Sequence, residues 1–286
     1  MQWACSKVLT ATCTPASSPA IISRWEMALS CEPDPMPAHL PWLDADDAFP
    51  PASLAWGPET TAPGLLAAGG QLDVAHLTTA YRQGIFPWFS NGQPILWWAP
   101  DPRMVLEPRS FRLHRSLRKT LQKFRCAPGC EIRVDHDFRA VISACSDKAR
   151  KGQNGTWIVP EMVSAYQALH EAGHAHSIET WVDGQLVGGL YCIGLGHAVF
   201  GESMFAHQPD ASKIALAALV CLCRMQGVTL IDCQQNTHHL ASLGAHETSR
   251  DRFLEHIGQA AVEADLHWSF DPLYWNALLP PLVLSA

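Results

Sequence analysis

Ser177-Ile178-Glu179-Thr180-Trp181-Val182, Asp183-Gly184, Leu186-Val187-Gly188-Gly189-Leu190-Tyr191-Cys192-Ile193-Gly194, Gly196, Ala198-Val199-Phe200-Gly201-Glu202-Ser203-Met204-Phe205: this stretch decides the fold class. It holds three short runs of aliphatic, aromatic and β-branched residues. An Asp-Gly hairpin signal breaks the first from the second, and Gly196 breaks the second from the third. Residues 177–182, 186–194 and 198–205 are therefore predicted to be antiparallel strands. Beyond them the texture changes to a long apolar helix at 212–225, with Asp210 as its cap and Gly227 as its stop. A strand at 228–234 and a short helix at 239–243, ended by Gly244, complete the pattern. Strands followed by helix, strand and helix predict an α+β fold, an antiparallel or mixed sheet flanked by helices.

Upstream, residues 114–125 read as an amphipathic helix. Leu117, Leu121 and Phe124 mark its apolar face, Arg115, Lys119 and Lys123 form a basic stripe, and Pro128-Gly129 closes the segment. Residues 160–170 read as a second helix, with Pro160 in its first turn and Gly173 as its stop. Residues 41–103 are rich in Pro, Gly and Trp. They hold a helix-like stretch at 74–83, a turn-rich run at 84–92 and a short apolar strand at 95–98 that Pro100-Asp101-Pro102 ends. A small N-terminal lobe at 41–103 followed by a larger domain at 104–286 is expected. Residues 1–40, with scattered Cys, Ser and Pro, read as a disordered extension, or as sequence ahead of a true start at Met27 or Met36. No internal repeat is present.

The chain has 286 residues, 48% hydrophobic and 16% charged, which is enough for a sizeable core and argues against global disorder. No apolar run approaches the ~18–20 residues of a membrane-spanning helix, and the first forty residues lack the apolar core of an export signal. A cytoplasmic location with reduced thiols is expected. The ten cysteines form no pair of C-x-x-C knuckles, which argues against a zinc ribbon. The net charge of −7 argues by itself against a nucleic-acid partner, but its distribution points the other way. Residues 1–60 hold seven acids and two bases, so the remaining 226 carry 20 acids and 18 bases, and residues 109–125 hold seven bases and no acid. A local stripe matters more for phosphate binding than the total.

Several residues stand out by chemistry. Arg115, Lys119 and Lys123, with Arg112 and Arg118 nearby, suit a phosphate backbone; a solvated helix face is the other reading. Trp88 and Trp157 sit in polar, turn-like contexts where an indole can stack on a base, whereas Trp97 and Trp98 read as core. Asp232 lies in a mostly apolar strand, where a carboxylate needs a partner; alternation places it on one face with Gln234. It is either a site residue or a cap for the following turn. Glu202 is a second carboxylate in an apolar strand, a ligand for a cation or half of a salt bridge within the fold. His170-Glu171-Ala172-Gly173-His174 spells a zinc-protease motif, but that motif needs one continuous helix, and Gly173 is expected to end it. No metal site is predicted.

The order of elements from residue 176 onward resembles the GNAT acetyltransferase superfamily in topology. The pyrophosphate-cradling loop of that superfamily is absent, since His207-Gln208-Pro209-Asp210 precedes the long helix. An acyl-CoA-dependent acetyltransferase is one alternative, which the missing loop argues against, and a non-catalytic tRNA-binding protein is another. A more specific resemblance rests on seven runs in register. They are Tyr81 to Phe89 (Tyr-Arg-Gln-Gly-Ile-Phe-Pro-Trp-Phe), Ile95-Leu96-Trp97-Trp98 with Pro100-Asp101-Pro102-Arg103, Gly155-Thr156-Trp157-Ile158, Gly173 to Glu179, Gly201-Glu202-Ser203-Met204-Phe205, Ala211-Ser212-Lys213, and Leu230-Ile231-Asp232-Cys233-Gln234. Together they resemble the bacterial leucyl/phenylalanyl-tRNA–protein transferases over roughly residues 41–270.

That resemblance implies a GNAT-like C-terminal domain behind a small lobe, with no metal or organic cofactor. It implies an aminoacyltransferase that moves leucine or phenylalanine, with methionine a further donor, from tRNA to proteins beginning with Arg or Lys. The product is marked for N-end-rule degradation, and a cytoplasmic monomer is expected. By resemblance, Arg115, Lys119 and Lys123 contact the tRNA, and Trp88 and Trp157 stack on its terminal adenosine. Leu190, Val199, Leu219 and Ile231 line the cavity for the donor side chain, and Tyr81 and Tyr166 lie near the site. Asp232 orients and polarises Gln234, which meets the reacting amine or ester, and Glu202 binds the acceptor's basic residue. Aliphatic residues replace bulkier ones at some cavity positions, which leaves the preference among Leu, Phe and Met open.

Overall fold

The computed structural model describes residues 40–147 and 158–281. Two sheets organise them. The first has four short strands, β1 (Trp42–Leu43), β2 (Leu65–Gly69), β3 (Phe86–Pro87) and β4 (Leu96–Trp98), in the order β1-β2-β4-β3, with α1 (Val74–Arg82) between β2 and β3. The second begins at β5 (Arg103–Leu106) and continues through α2 (Arg115–Cys126), β6 (Cys130–Val134), α3 (Phe138–Ser146), α4 (Pro160–Glu171), β7 (Ala175–Val182), β8 (Gln185–Leu195), β9 (Ala198–Ala206) and α5 (Ala211–Met225). It closes with β10 (Ile231–Gln234), α6 (His238–Ser242), β11 (His246–Thr248) and α7 (Arg250–Ala260). Its seven strands run β11-β5-β10-β9-β8-β7-β6. The fold is α+β.

The strands follow from the pattern. Asp183 and Gly184 both have positive φ (49° and 74°), as a two-residue β7–β8 turn with the hand of the sheet requires. β7, β8 and β9 are antiparallel, and β9 joins its parallel neighbour β10 through α5. Such a parallel connection needs a crossover, which the apolar helix supplies. β10 is shorter than the predicted 228–234, and β5, from 125 residues upstream, pairs with it on its other side.

The long strands separate two apolar clusters. One holds Val141, Ile142, Tyr166, Tyr191, Ile193, Phe200 and Phe253, together with Leu65, Tyr81 and Trp97 from the first sheet and α1. The other holds Leu190, Cys192, Val199, Ile231, the buried face of α2 and the whole middle of α5. Residues 214–223 of α5 are all buried, as an all-apolar helix must be. The predicted Asp210 cap takes another form. Asp210 sits at φ 63° and makes no side-chain cap; its carboxylate instead binds Lys213 Nζ at 2.8 Å and accepts from Thr120 at 3.4 Å, which ties α5 to α2.

Candidate active site

Four elements converge on one carboxylate. α1 supplies Tyr81, α4 supplies Tyr166, β9 supplies Glu202 and β10 supplies Gln234. The Tyr81 hydroxyl donates to Glu202 Oε1 at 2.8 Å, and the Gln234 amide donates to the same oxygen at 2.9 Å. The Tyr166 hydroxyl lies 3.3 Å from Oε2 and 2.5 Å from the Tyr81 hydroxyl. Both tyrosines are fully buried, whereas Glu202 and Gln234 keep some exposure. Burial pushes the Glu202 carboxyl up to about 7, against hydrogen bonds from Tyr81, Gln234 and Tyr166 that pull it down and the nearby Asp232 charge that adds to the rise. Burial and the neighbouring Glu202 charge hold both tyrosine hydroxyls well above their ordinary value.

The backbone places these groups through two irregularities. The β8–β9 register passes from Cys192↔Gly201 to Tyr191↔Ser203, so Glu202 is the extra residue of a bulge. The β10–β5 register passes from Asp232↔Val105 to Gln234↔Met104, with Gln234 at φ 62°. Bulges re-aim side chains, and here they aim Glu202 and Gln234 at each other. The β9–β10 ladder covers only Val199↔Ile231 and Phe200↔Asp232. Past that point the strands are joined by side chains.

The alternation expected along 228–234 therefore breaks before Gln234, and the Gln234 side chain turns to Glu202 rather than to Asp232. Asp232 Oδ1 instead accepts from the Gln234 backbone N–H at 2.9 Å. Its main partner is Arg103, a residue the sequence reading quoted but gave no role. Arg103 donates Nε to Oδ1 at 2.8 Å and Nη2 to Oδ2 at 2.6 Å, while Nη1 reaches the Gly84 carbonyl at 3.1 Å. Its guanidinium lies over the rings of Phe86 and Phe253, 4.7 and 4.5 Å from their centres. Both ions are buried. Two lone charges in apolar strands, Arg103 before Met-Val-Leu and Asp232 after Leu-Ile, were the signal that paired them, since a buried charge needs a partner.

The other predicted residues divide. Arg115, Lys119 and Lys123 are exposed on α2, and among the described residues none of them forms an ion pair. Trp88 is partly buried beside Trp98, whose indole donates to its carbonyl at 2.7 Å. Trp157 lies outside the described residues. Leu190, Val199, Leu219 and Ile231 are packed in the cluster around α5, across the sheet from Tyr81 and Tyr166. The zinc-protease motif is broken as its glycine requires: α4 ends at Glu171, Gly173 has φ 81°, and His170 stacks on Phe138. A groove of about 360 Å³ between Leu72, Phe89, Gln93, Ile95 and Val159 includes neither carboxylate; the chemistry is concentrated at Glu202.

Residues 70–101 match the family profile described as leucyl/phenylalanyl-tRNA protein transferase N-terminal domain, and residues 105–258 match leucyl/phenylalanyl-tRNA protein transferase. The leucyl/phenylalanyl-tRNA–protein transferase of Polaromonas sp. strain JS666 is 60% identical over 85% of this chain and 96% of its own. The chain belongs to the leucyl/phenylalanyl-tRNA–protein transferase family. The transferase of the same name from Albidiferax ferrireducens is 59% identical over 87% of this chain and 98% of its own. Among solved structures, a GCN5-related N-acetyltransferase from Kribbella flavida aligns at a TM-score of 0.30 and 11% identity over 60% of each chain, a likeness too slight to argue from. As a member of this transferase family the protein is an aminoacyltransferase, and among its described residues no helix is long and apolar enough to cross a membrane.

Proposed function

We propose that the protein moves leucine or phenylalanine from a charged tRNA onto the α-amine of proteins that begin with Arg or Lys. Methionine is a further donor, and the product is marked for degradation in the cytoplasm. The observation that carries this reading is Glu202, a partly exposed carboxylate held by two tyrosine hydroxyls and an amide, with no cation beside it among the described residues. Such a group completes its pairing with a guanidinium or ammonium from outside. An acceptor bound there by its basic side chain presents its α-amine next to Gln234.

The step is aminolysis of an ester. The neutral amine attacks the aminoacyl carbonyl, a C–N bond forms, and the C–O bond to the ribose breaks. The amine loses a proton and the ribose hydroxyl gains one. An activated ester needs positioning more than a strong base, so the scheme uses no metal or organic cofactor. In this reading Arg115, Lys119 and Lys123 track the acceptor stem, while Trp88 and Trp157 stack on its last base. The resemblance assigns the donor side chain to a cavity formed by Leu190, Val199, Leu219 and Ile231, the cluster on the other face of the sheet from the tyrosines. Residues 41–103 act as the small lobe that supplies Tyr81 and Trp88 to a monomeric enzyme.

Purified protein incubated with radiolabelled Leu-tRNA and a protein starting with Arg should carry label to that protein. Label that stays on the tRNA defeats the reading. Replacing Arg115, Lys119 and Lys123 together by Ala should weaken tRNA binding and reduce the salt dependence of its affinity by up to about three phosphate contacts.

A further inference from the structure

Arg103 is enclosed on every side that the structure describes. It lies over the rings of Phe86 and Phe253, and its edge is engaged by Asp232 and the Gly84 carbonyl. Gly84 ends α1 in a left-handed turn at φ 71°, with Ile85 N–H bonded to Ala80 O at 2.9 Å and Gly84 N–H to Tyr81 O at 3.0 Å. A Cβ at Gly84 would lie 2.5 Å from Leu254, so this turn is tightly packed. One guanidinium thus joins the end of the helix that carries Tyr81 to the strand that carries Gln234. Asp232, fully buried, accepts from Arg103 with both oxygens, and its Oδ1 also accepts from the Gln234 N–H. Left-handed backbone is unfavourable for a residue with a side chain and persists where the surroundings hold it. The Asp232 contact holds the Gln234 backbone N–H beside its ladder pairing with Met104, and the Gln234 amide then reaches Glu202 across the open end of the β9–β10 ladder.

We propose that Arg103 is a positioning residue for the transfer reaction: by fixing Asp232 it locks the left-handed turn at Gln234 and so aims the Gln234 amide at Glu202. Asp232 on this account never accepts the substrate's proton; it transmits the position of Arg103. The inference rests on the transferase reading above. Its alternative is that the Arg103–Asp232 pair only holds the fold together.

A double-mutant cycle separates the two. Single-turnover transfer of labelled leucine to a peptide beginning with Arg is measured for the wild-type protein, Arg103→Lys, Gln234→Ala and the double variant, with tRNA affinity as a check on folding. Arg103→Lys alone should slow transfer on the order of a hundredfold, the effect of about 1 Å of misplacement. In the Gln234→Ala background the same change should cost less than about threefold, because its effect runs through Gln234. Losses that multiply overturn the proposal and leave the transferase reading intact; absence of transfer by the wild-type protein removes both. If Arg103→Lys yields no folded protein, Phe253→Leu, which removes one of the rings the guanidinium lies over, takes its place in the same cycle. Coupling to Gln234 then supports the proposal and multiplying losses overturn it.

Discussion

Asp232 and Glu202 leave neighbouring strands on the same face of the sheet, and their surroundings are opposite in kind. Asp232 pairs across the ladder with Phe200, two residues before Glu202. It is fully buried and bound by a cation in two places. Glu202 keeps some exposure and, among the described residues, is bound by neutral donors alone. The first carboxylate is complete without a substrate. The second is ready for a charge it does not yet have. Two acids a few residues from each other's register thus divide the work, one holding geometry and the other meeting the ligand.

Removing each acid should expose that division. Asp232→Ala leaves Arg103 buried without its counter-ion, and unfolding in urea should show a loss of about 3–5 kcal/mol. Glu202→Gln keeps its shape and should cost less than about 1 kcal/mol. Equal losses would erase the contrast. The next effect concerns the acceptor. Glu202→Gln should lower kcat/KM for a peptide beginning with Arg by about thirtyfold, the worth of one charge-assisted hydrogen bond of ~2 kcal/mol, with tRNA affinity unchanged.

The smallest effects are in pH. The Glu202 carboxyl titrates near 7, so KM for the Arg peptide should fall as pH rises through that value and stay flat in Glu202→Gln relative to the wild type. The peptide's own amine titrates identically against both proteins, so the difference isolates Glu202. Stability has the reverse sign. The folded carboxyl binds its proton more tightly than the unfolded one, whose ordinary value is 4.5. Its contribution is therefore most favourable below that value and declines as pH climbs through about 7. The melting temperature of the wild type should drop over this window more than that of Glu202→Gln.

Much of this was legible in the sequence. The three strands from Ala175 to Ala206 and the helix after them follow from local patterning, and the structure moves their ends by no more than a few residues. Tyr81, Tyr166, Glu202 and Gln234 were named from motifs far apart in the chain, and one hydrogen-bonded cluster unites them. What local pattern does not carry is register. The bulges at Glu202 and Cys233 change which side chains meet, and nothing in a period-two pattern marks where an extra residue is inserted. Arg103 was missed for a similar reason. Its partner is 129 positions away, and only the insertion of β5 beside β10 brings them together. Leu190, Val199, Leu219 and Ile231 pack together in the core around α5, across the sheet from the tyrosines.

The contact between the two tyrosine hydroxyls imposes a count of hydrogens. Each phenol owns one, and the oxygens of Tyr81 and Tyr166 lie so close that one hydrogen must sit between them. Tyr81 directs its own at Glu202 Oε1, so the Tyr166 hydrogen is shared between the Tyr81 oxygen at 2.5 Å and Oε2 at 3.3 Å. Oε1, served by Tyr81 and Gln234, is saturated, and Oε2 has lone pairs to spare. Among the described residues, Oε2 is therefore the oxygen with acceptor capacity left over. A visitor that brings only N–H groups, as arginine and lysine side chains do, satisfies it; one that brings a carbonyl or a carboxylate finds oxygen facing oxygen. Selectivity for the incoming residue is thus written into which way two phenols point.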